Sequence, residues 1–233
     1  RCNHTRRTGR LRHLIGQDHE PLAALQGRVQ RPQALAVSRS LRMAADLVAR
    51  GERNAETICG HIRQGKSKRF RPTLLLLAAQ DGGGFPPAAI TAAASVELVH
   101  TATLVHDDFI DEAVTRRGLP AVNAKYGSSS ALIMGDYLYS KALYNLCRAK
   151  LHHAVELLAR TTVLMSEAEM LQLEYRYDME ISEERYMQII YQKTASLIEN
   201  SCRIGVSFNP RLQEASAAME PVTIAGGRTG VTA

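Results

Sequence analysis

From about residue 32 to residue 205 the apolar residues recur at helical spacing, and no stretch alternates long enough to make a strand. That pattern predicts an all-α fold. Pro32 and Gly51 bracket one helix, while Pro72 opens another that runs through residues 74–77 and stops at the triple glycine 82–84. A long helix is expected over about 87–112, a short one over 120–126, and further ones over 130–150, the 150s to Tyr175, and 182–204. Ser182, followed by Glu183 and Glu184, reads as an N-cap with acids in the first turn, and Gly205 reads as the stop. The triple glycine fits neither G-x-G-x-x-G nor a Walker loop, so it is a turn and not a nucleotide cradle. The economical organisation is a basic lead over 1–31, one helical domain over 32–205 and an atypical or truncated tail over 206–233.

A chain of 233 residues that is 45% hydrophobic can bury a sizeable core. Its longest apolar runs, 74–79 and 86–94, fall short of the roughly 18 residues of a membrane span, so at most peripheral membrane association is expected. Cys2, Cys59, Cys147 and Cys202 stand far apart without a C-x-x-C pair. Neither a zinc cluster nor a disulfide framework is indicated, and a reducing compartment, the cytoplasm, is the default. Arg1, Arg6, Arg7, Arg10 and Arg12 precede the first acid, Asp18, which would also suit a transit peptide and makes the mitochondrial matrix the alternative.

Charge is unevenly spread. Residues 1–71 carry 16 Lys and Arg against 5 Asp and Glu, and the remainder 13 against 18. A basic front calls for an anion, which nucleic acid, anionic lipid or a phosphorylated small molecule could each supply. Nucleic acid is disfavoured, because the basic segment lacks interleaved aromatics and any recognition-helix signature.

The chemistry gathers at the end of the long helix. Asp107 and Asp111 are four residues apart and share a helix face, about one turn from each other. Two carboxylates so placed suit Mg2+ that is also held by substrate phosphates and keeps several waters. Asp108, rotated about 100° away, either supports that pair or reaches a further ion. Alone, D-D-x-x-D also fits a solvated acidic helix end. Its surroundings argue otherwise: His100 lies two turns earlier on the same stripe, and Arg116 and Arg117 follow closely. Lys68 and Arg71 stand at the entrance of another helix, whose free N–H groups favour anions. Lys193 and Thr194 place a cation beside a hydroxyl within a largely apolar helix.

These residues resemble the trans-polyprenyl (isoprenyl) diphosphate synthases. SKRFRP at 67–72 is similar to that family's G-G-K-R-x-R-P, and ELVHTATLVHDDFIDEAVTRRG at 97–118 resembles its first aspartate-rich motif. EMLQL at 169–173, KTASLIENSC at 193–202 and GDYLYSKA at 135–142 match further blocks. The resemblance covers about residues 40–206 and is nearest to the long-chain, quinone-tail synthases. It implies an antiparallel helical bundle of the isoprenoid synthase type, acting as a homodimer. By the resemblance Asp107 and Asp111, with Asp108 less directly, hold Mg2+ that bridges to an allylic diphosphate. Arg116, Lys193 and Thr194 bind that same diphosphate. Lys68, Arg71, His100 and Arg117 bind isopentenyl diphosphate. Asp107, Asp111, Arg116 and Lys193 are then the catalytic set, and no general base is required. Ala102 and Thr103, small residues just before the aspartates, imply an open channel and a long product, although small side chains also suit close helix packing.

Two departures stand out. The family's glycine pair before the lysine is Lys66-Ser67, and the glycine often preceding the EMLQL-like block is Ala168. After Gly205 the sequence lacks the expected Phe-Gln and second aspartate-rich motif, which implies either a fragment or a degenerate end, poorly active as it stands. A noncatalytic partner subunit or decayed paralogue is therefore an alternative. A terpene cyclase or squalene-synthase-like enzyme is a further one, against which Lys68, Arg71 and His100 speak, because only an enzyme binding isopentenyl diphosphate needs the second anion pocket.

Overall fold

The computed structural model describes residues 53–65, 67–80, 84–210 and 212. The helix expected between Pro32 and Gly51, most of the triple glycine and most of the tail lie outside the described residues. The elements are α1 (Arg53–Gln64), α2 (Phe70–Ala78), α3 (Pro87–Ile110), β1 (Thr115–Arg116), β2 (Leu119–Pro120), α4 (Val122–Tyr126), α5 (Ser128–Arg148), α6 (His152–Glu174), α7 (Glu183–Ile190), a π turn (Tyr191–Ala195) and α8 (Ser196–Val206). The fold is all-α, as the periodicity predicts, with one two-residue hairpin added.

α3 is the axis of the bundle and touches α2, α4, α5, α6 and α8. Pro87 at its first position costs nothing, since that N–H has no intrahelical partner. Ala89, Ala92, Ala93 and Ala94 are fully buried, which lets the neighbouring backbones come close to the helix. By length and composition α3 could also cross a membrane, but 67% of its apolar window is buried inside the bundle, so its hydrophobicity serves the core. That core includes Leu75 and Leu76 from α2, Val96 and Val99 from α3, Leu146 from α5, Leu158 from α6, and Leu197 and Ile204 from α8. One buried polar pair ties α8 to α6 within it. The Asn200 amide donates to Thr161 Oγ1 at 2.8 Å, and that hydroxyl donates to the Leu157 carbonyl at 2.6 Å.

Several local readings change. The region expected as one helix over 182–204 is three pieces, with the π turn at its centre; only the cap at Ser182, whose hydroxyl accepts from the Arg185 N–H at 3.3 Å, stands as read. Gly205 does not stop α8, which runs on to Val206; it is buried where α8 crosses α2. α2 begins at Phe70, so Pro72 sits in its first turn, where a missing N–H is tolerated. α1, with Ile58 and Cys59 buried, was not marked by any cap or proline in the sequence.

Candidate active site

The acidic end of α3 holds its three carboxylates in three different ways. Asp108 is buried and takes both Nε (2.7 Å) and Nη2 (2.5 Å) of Arg116 on one oxygen. Asp111 is the C-cap residue, exposed, and accepts from Arg176 Nη2 at 3.1 Å. Asp107 faces across the bundle to the π turn. Burial pushes its carboxyl up, the Lys193 ammonium opposes that, and the nearby carboxylates of Glu169 and Asp111 reinforce it. Lys193 is itself held from α6, by Glu169 Oε2 at 2.5 Å and Gln172 Oε1 at 2.9 Å. The π turn that carries it inserts an extra residue into an otherwise regular helix, a device often found where a side chain must be re-aimed at a site. Thr194, beside it, is exposed.

A basic pocket lies two turns back along the same face of α3. The Arg71 guanidinium donates to His100 Nε2 at 3.1 Å. An arginine has only N–H groups to offer, so Nε2 is the acceptor and the proton of the neutral ring sits on Nδ1. Burial, with Arg71, Arg117 and Arg116 nearby, holds the His100 imidazole down at about 3, hence neutral at physiological pH. Lys68 is exposed on the same stretch as Ser67, Arg69 and Arg71. Ala102 is buried, and Thr103, half-buried one turn before Asp107, donates its hydroxyl to the His100 carbonyl at 2.9 Å.

Arg116 and Arg117 reach these places from the hairpin β1–β2. Thr115 pairs with Pro120 and Arg116 with Leu119, leaving Arg117-Gly118 as a two-residue loop with φ of 54° and 79°. Two positive φ values are the signature of a type I′ turn, whose twist matches antiparallel strands. His61 fixes the hairpin from α1: its Nε2–H donates to the Pro120 carbonyl at 2.8 Å, while Nδ1 accepts from the Lys125 ammonium at 3.1 Å. A cavity of about 40 Å³, bordered by His61, Thr101, Asp108, Arg116 and Arg117, lies behind the hairpin.

The structure thus brings together Asp107, Asp111, Arg116 and Lys193 at one end of the face, and Arg71, His100 and Arg117 at the other. Arg116 acts on both: its charge lowers His100 and Asp107 alike. Sequence reasoning did not single out Glu97, a buried acid one turn before His100, nor Arg69 beside it. The only available signal was a carboxylate standing in an apolar run on the same stripe.

The donor set suits a hard divalent cation. Asp107 is driven toward its neutral form by burial and neighbouring acids, and Glu169 Oε1 is buried with no partner, so both would gain from added positive charge. Among the described residues no group of three or more His, Cys, Asp or Glu is placed to hold a metal ion by itself.

The sequence pattern of the polyprenyl synthetase family matches residues 52–228. The chain is 39% identical over 139 residues to the octaprenyl diphosphate synthase of Escherichia coli, covering 60% of this chain and 43% of that protein. It is 36% identical over 171 residues to the nonaprenyl diphosphate synthase of Mycobacterium tuberculosis, covering 73% and 50%. The crystal structure of a decaprenyl diphosphate synthase from Rhodobacter capsulatus superimposes with a TM-score of 0.70 at 30% identity, over 79% of this chain and 56% of that one. The chain spans about half the length of the curated relatives it matches.

Proposed function

The chain belongs to the polyprenyl synthetase family, and from that premise we propose that it condenses isopentenyl diphosphate with an allylic diphosphate, building a long-chain trans-polyprenyl diphosphate. The observation that carries this reading is the pair of differently built anion sites on one face of α3, one ringed by carboxylates and one by guanidiniums, with Arg116 between them. A single phosphate pocket would need only one of the two.

In this reading the carboxylates of Asp107 and Asp111 hold Mg2+, with Asp108 acting through Arg116. When bound, the ion neutralises charge on the allylic diphosphate and favours its departure. Arg116, Lys193 and the Thr194 hydroxyl bind the same diphosphate, where they stabilise the negative charge that grows on the leaving group. The second diphosphate rests on Lys68, Arg71 and Arg117, with the Nδ1–H of neutral His100 as a further donor. Holding both substrates on one rigid helix face fixes the isopentenyl double bond next to the allylic C1. As the allylic C–O bond breaks, pyrophosphate leaves with the bonding pair. The isopentenyl π electrons form the new C–C bond, and a proton on the adjacent carbon passes to the departing pyrophosphate as the new double bond closes. Ala102 and Thr103 leave room along α3 for the lengthening chain. The product would serve as a quinone side-chain precursor, made by a pair of subunits with at most peripheral membrane contact.

The test is incorporation of labelled isopentenyl diphosphate by the chain extended with a complete C-terminal portion, in the presence of Mg2+ and an allylic primer. Long prenyl diphosphates are expected, with incorporation reduced about 10²- to 10³-fold in Asp107→Ala. A folded protein that carries the complete C-terminal portion and forms no prenyl product overturns the catalytic reading.

A further inference from the structure

Glu97 is 5% exposed and sits in the otherwise apolar middle of α3. A carboxylate there is costly unless it is hydrogen-bonded and matched by positive charge. It has both. The Ser67 hydroxyl donates to Oε1 at 3.3 Å. Burial pushes the Glu97 carboxyl up, while the charges of Arg117, Arg69 and Arg71 pull it down.

None of these partners belongs to α3. Ser67, Arg69 and Arg71 come from the segment that enters α2, and Arg117 comes from the hairpin loop. Arg69 and Arg117 both hold left-handed backbones, with φ of 51° and 54°. Such conformations are unfavourable for arginine and persist only where the surroundings hold them. Both arginines lend positive charge to Glu97. Ser67 adds a local tie, since its oxygen also accepts from the Arg69 N–H at 3.3 Å. At the same time Arg69 Nε and Arg71 Nε are buried without partners, so this array still has N–H groups to offer a second anion.

We infer that Glu97 is a positioning residue of the basic pocket: its buried carboxylate gathers Ser67, Arg69, Arg71 and Arg117 from two separate segments into one anion-binding array. It touches no substrate. The inference rests on the reading of this pocket as a diphosphate site. Ser67 stands where the family's pattern has glycine, so in this chain a hydroxyl fastens the loop to the acid.

The sign of the effect separates positioning from simple charge balance. If Glu97 only diluted the positive potential, its neutralisation would tighten anion binding. If it arranges the guanidiniums, neutralisation weakens binding.

The measurement is calorimetric titration of the full chain with inorganic pyrophosphate in chelator, so that the metal-dependent site is silent. If the unaltered chain does not bind, or Arg71→Ala binds equally well, the diphosphate reading of the pocket fails whatever Glu97 does. With binding in hand, Glu97→Gln weakens it on the order of tenfold and Ser67→Ala about threefold. The double variant binds no more weakly than Glu97→Gln alone, and Glu97→Asp, which keeps the charge, recovers part of the loss. Affinity equal to or tighter than the unaltered chain in folded Glu97→Gln overturns the inference. Should Glu97→Gln fail to fold by circular dichroism, unaltered affinity in both Ser67→Ala and Glu97→Asp overturns it instead.

Discussion

Gly205 is where the structure makes its most demanding steric claim. A methyl added there would overlap the Leu75 carbonyl oxygen of α2 and sit 2.7 Å from the Ala78 methyl. The carbonyl cannot turn aside, because it accepts from the Ala79 N–H at 2.9 Å, and both Leu75 and Ala79 are fully buried. Relief therefore requires α2 and α8 to separate until carbon and oxygen reach about 3.3 Å. Overpacking of this kind costs about 1–3 kcal/mol and occasionally more. Replacing glycine by alanine inside a helix returns about 1 kcal/mol. Gly205→Ala should thus lose up to about 2 kcal/mol, lowering the thermal midpoint by up to roughly 4–8 °C for a domain of this size. Gly135→Ala is the matched control. Its methyl would also overlap a neighbour, but that neighbour is the His106 ring, 31% exposed, hydrogen-bonded to the Leu132 carbonyl at 3.0 Å and 3.5 Å from the exposed Asp136 carboxylate. The ring can swing outward for about 1 kcal/mol, which the helix gain offsets. Thermal melts followed by circular dichroism at 222 nm decide the matter. Equal midpoints for the two variants, or a Gly205→Ala midpoint at or above the unaltered value, would refute the argument that a fixed carbonyl and a movable ring respond differently.

His100 supplies a pH signature. In the unfolded chain it protonates below about 6.5, but in the folded chain only near 3, so the folded state binds fewer protons between those values and stability falls as pH falls, by at most about 1.4 kcal/mol per unit. His100→Gln should flatten the melting profile between pH 6.5 and 4.5, and parallel profiles would contradict the assignment; Glu97 and Asp107, both raised, act with the opposite sign in either protein. Asp111→Ala removes a carboxylate held only by an exposed arginine. It should leave the melting midpoint within about 0.5 kcal/mol of stability while cutting isopentenyl incorporation by about two orders of magnitude, and unchanged incorporation would remove Asp111 from the metal set. Thr103→Phe places a ring one turn before Asp107, so chromatography of the products should show shorter chains; an unchanged product distribution would count against a channel along α3.

How much of this was legible depends on the reach of each interaction. α3 and the cap at Ser182 are set by neighbours within a turn, and both appear in the sequence as Pro87 and as Ser182 with two following acids. The hairpin is set by two φ values. Its strands are too short to alternate, and an arginine at φ 54° hides the usual Asn-Gly or Gly-Gly signal of a type I′ turn. The π turn leaves the apolar spacing of 182–204 nearly intact, so periodicity reads straight through it. The pairing of Asp111 with Arg176, and of Lys193 with Glu169, joins residues on different elements and has no local sequence trace. Gly205 carried a signal that pointed elsewhere: glycine near a helix end suggests a stop, whereas here a neighbouring backbone excludes any side chain.

The hairpin also explains how two adjacent arginines can serve two sites. On a helix Arg116 and Arg117 would lie about 100° apart on one surface. Here Arg116 lies in a strand and Arg117 in the turn beyond it. Arg116 closes on Asp108, beside the carboxylates, while Arg117 rests against Gly65 and lends its charge to Glu97 and His100. Two turns of α3, about 10 Å, separate His100 from Asp107, so a segment only two strand residues long can reach both ends. It follows that His61, which touches neither end of the site, controls both through the Pro120 carbonyl. Loss of that hydrogen bond should disturb the carboxylate end and the guanidinium end together, whereas loss of Glu97 should disturb the guanidinium end alone.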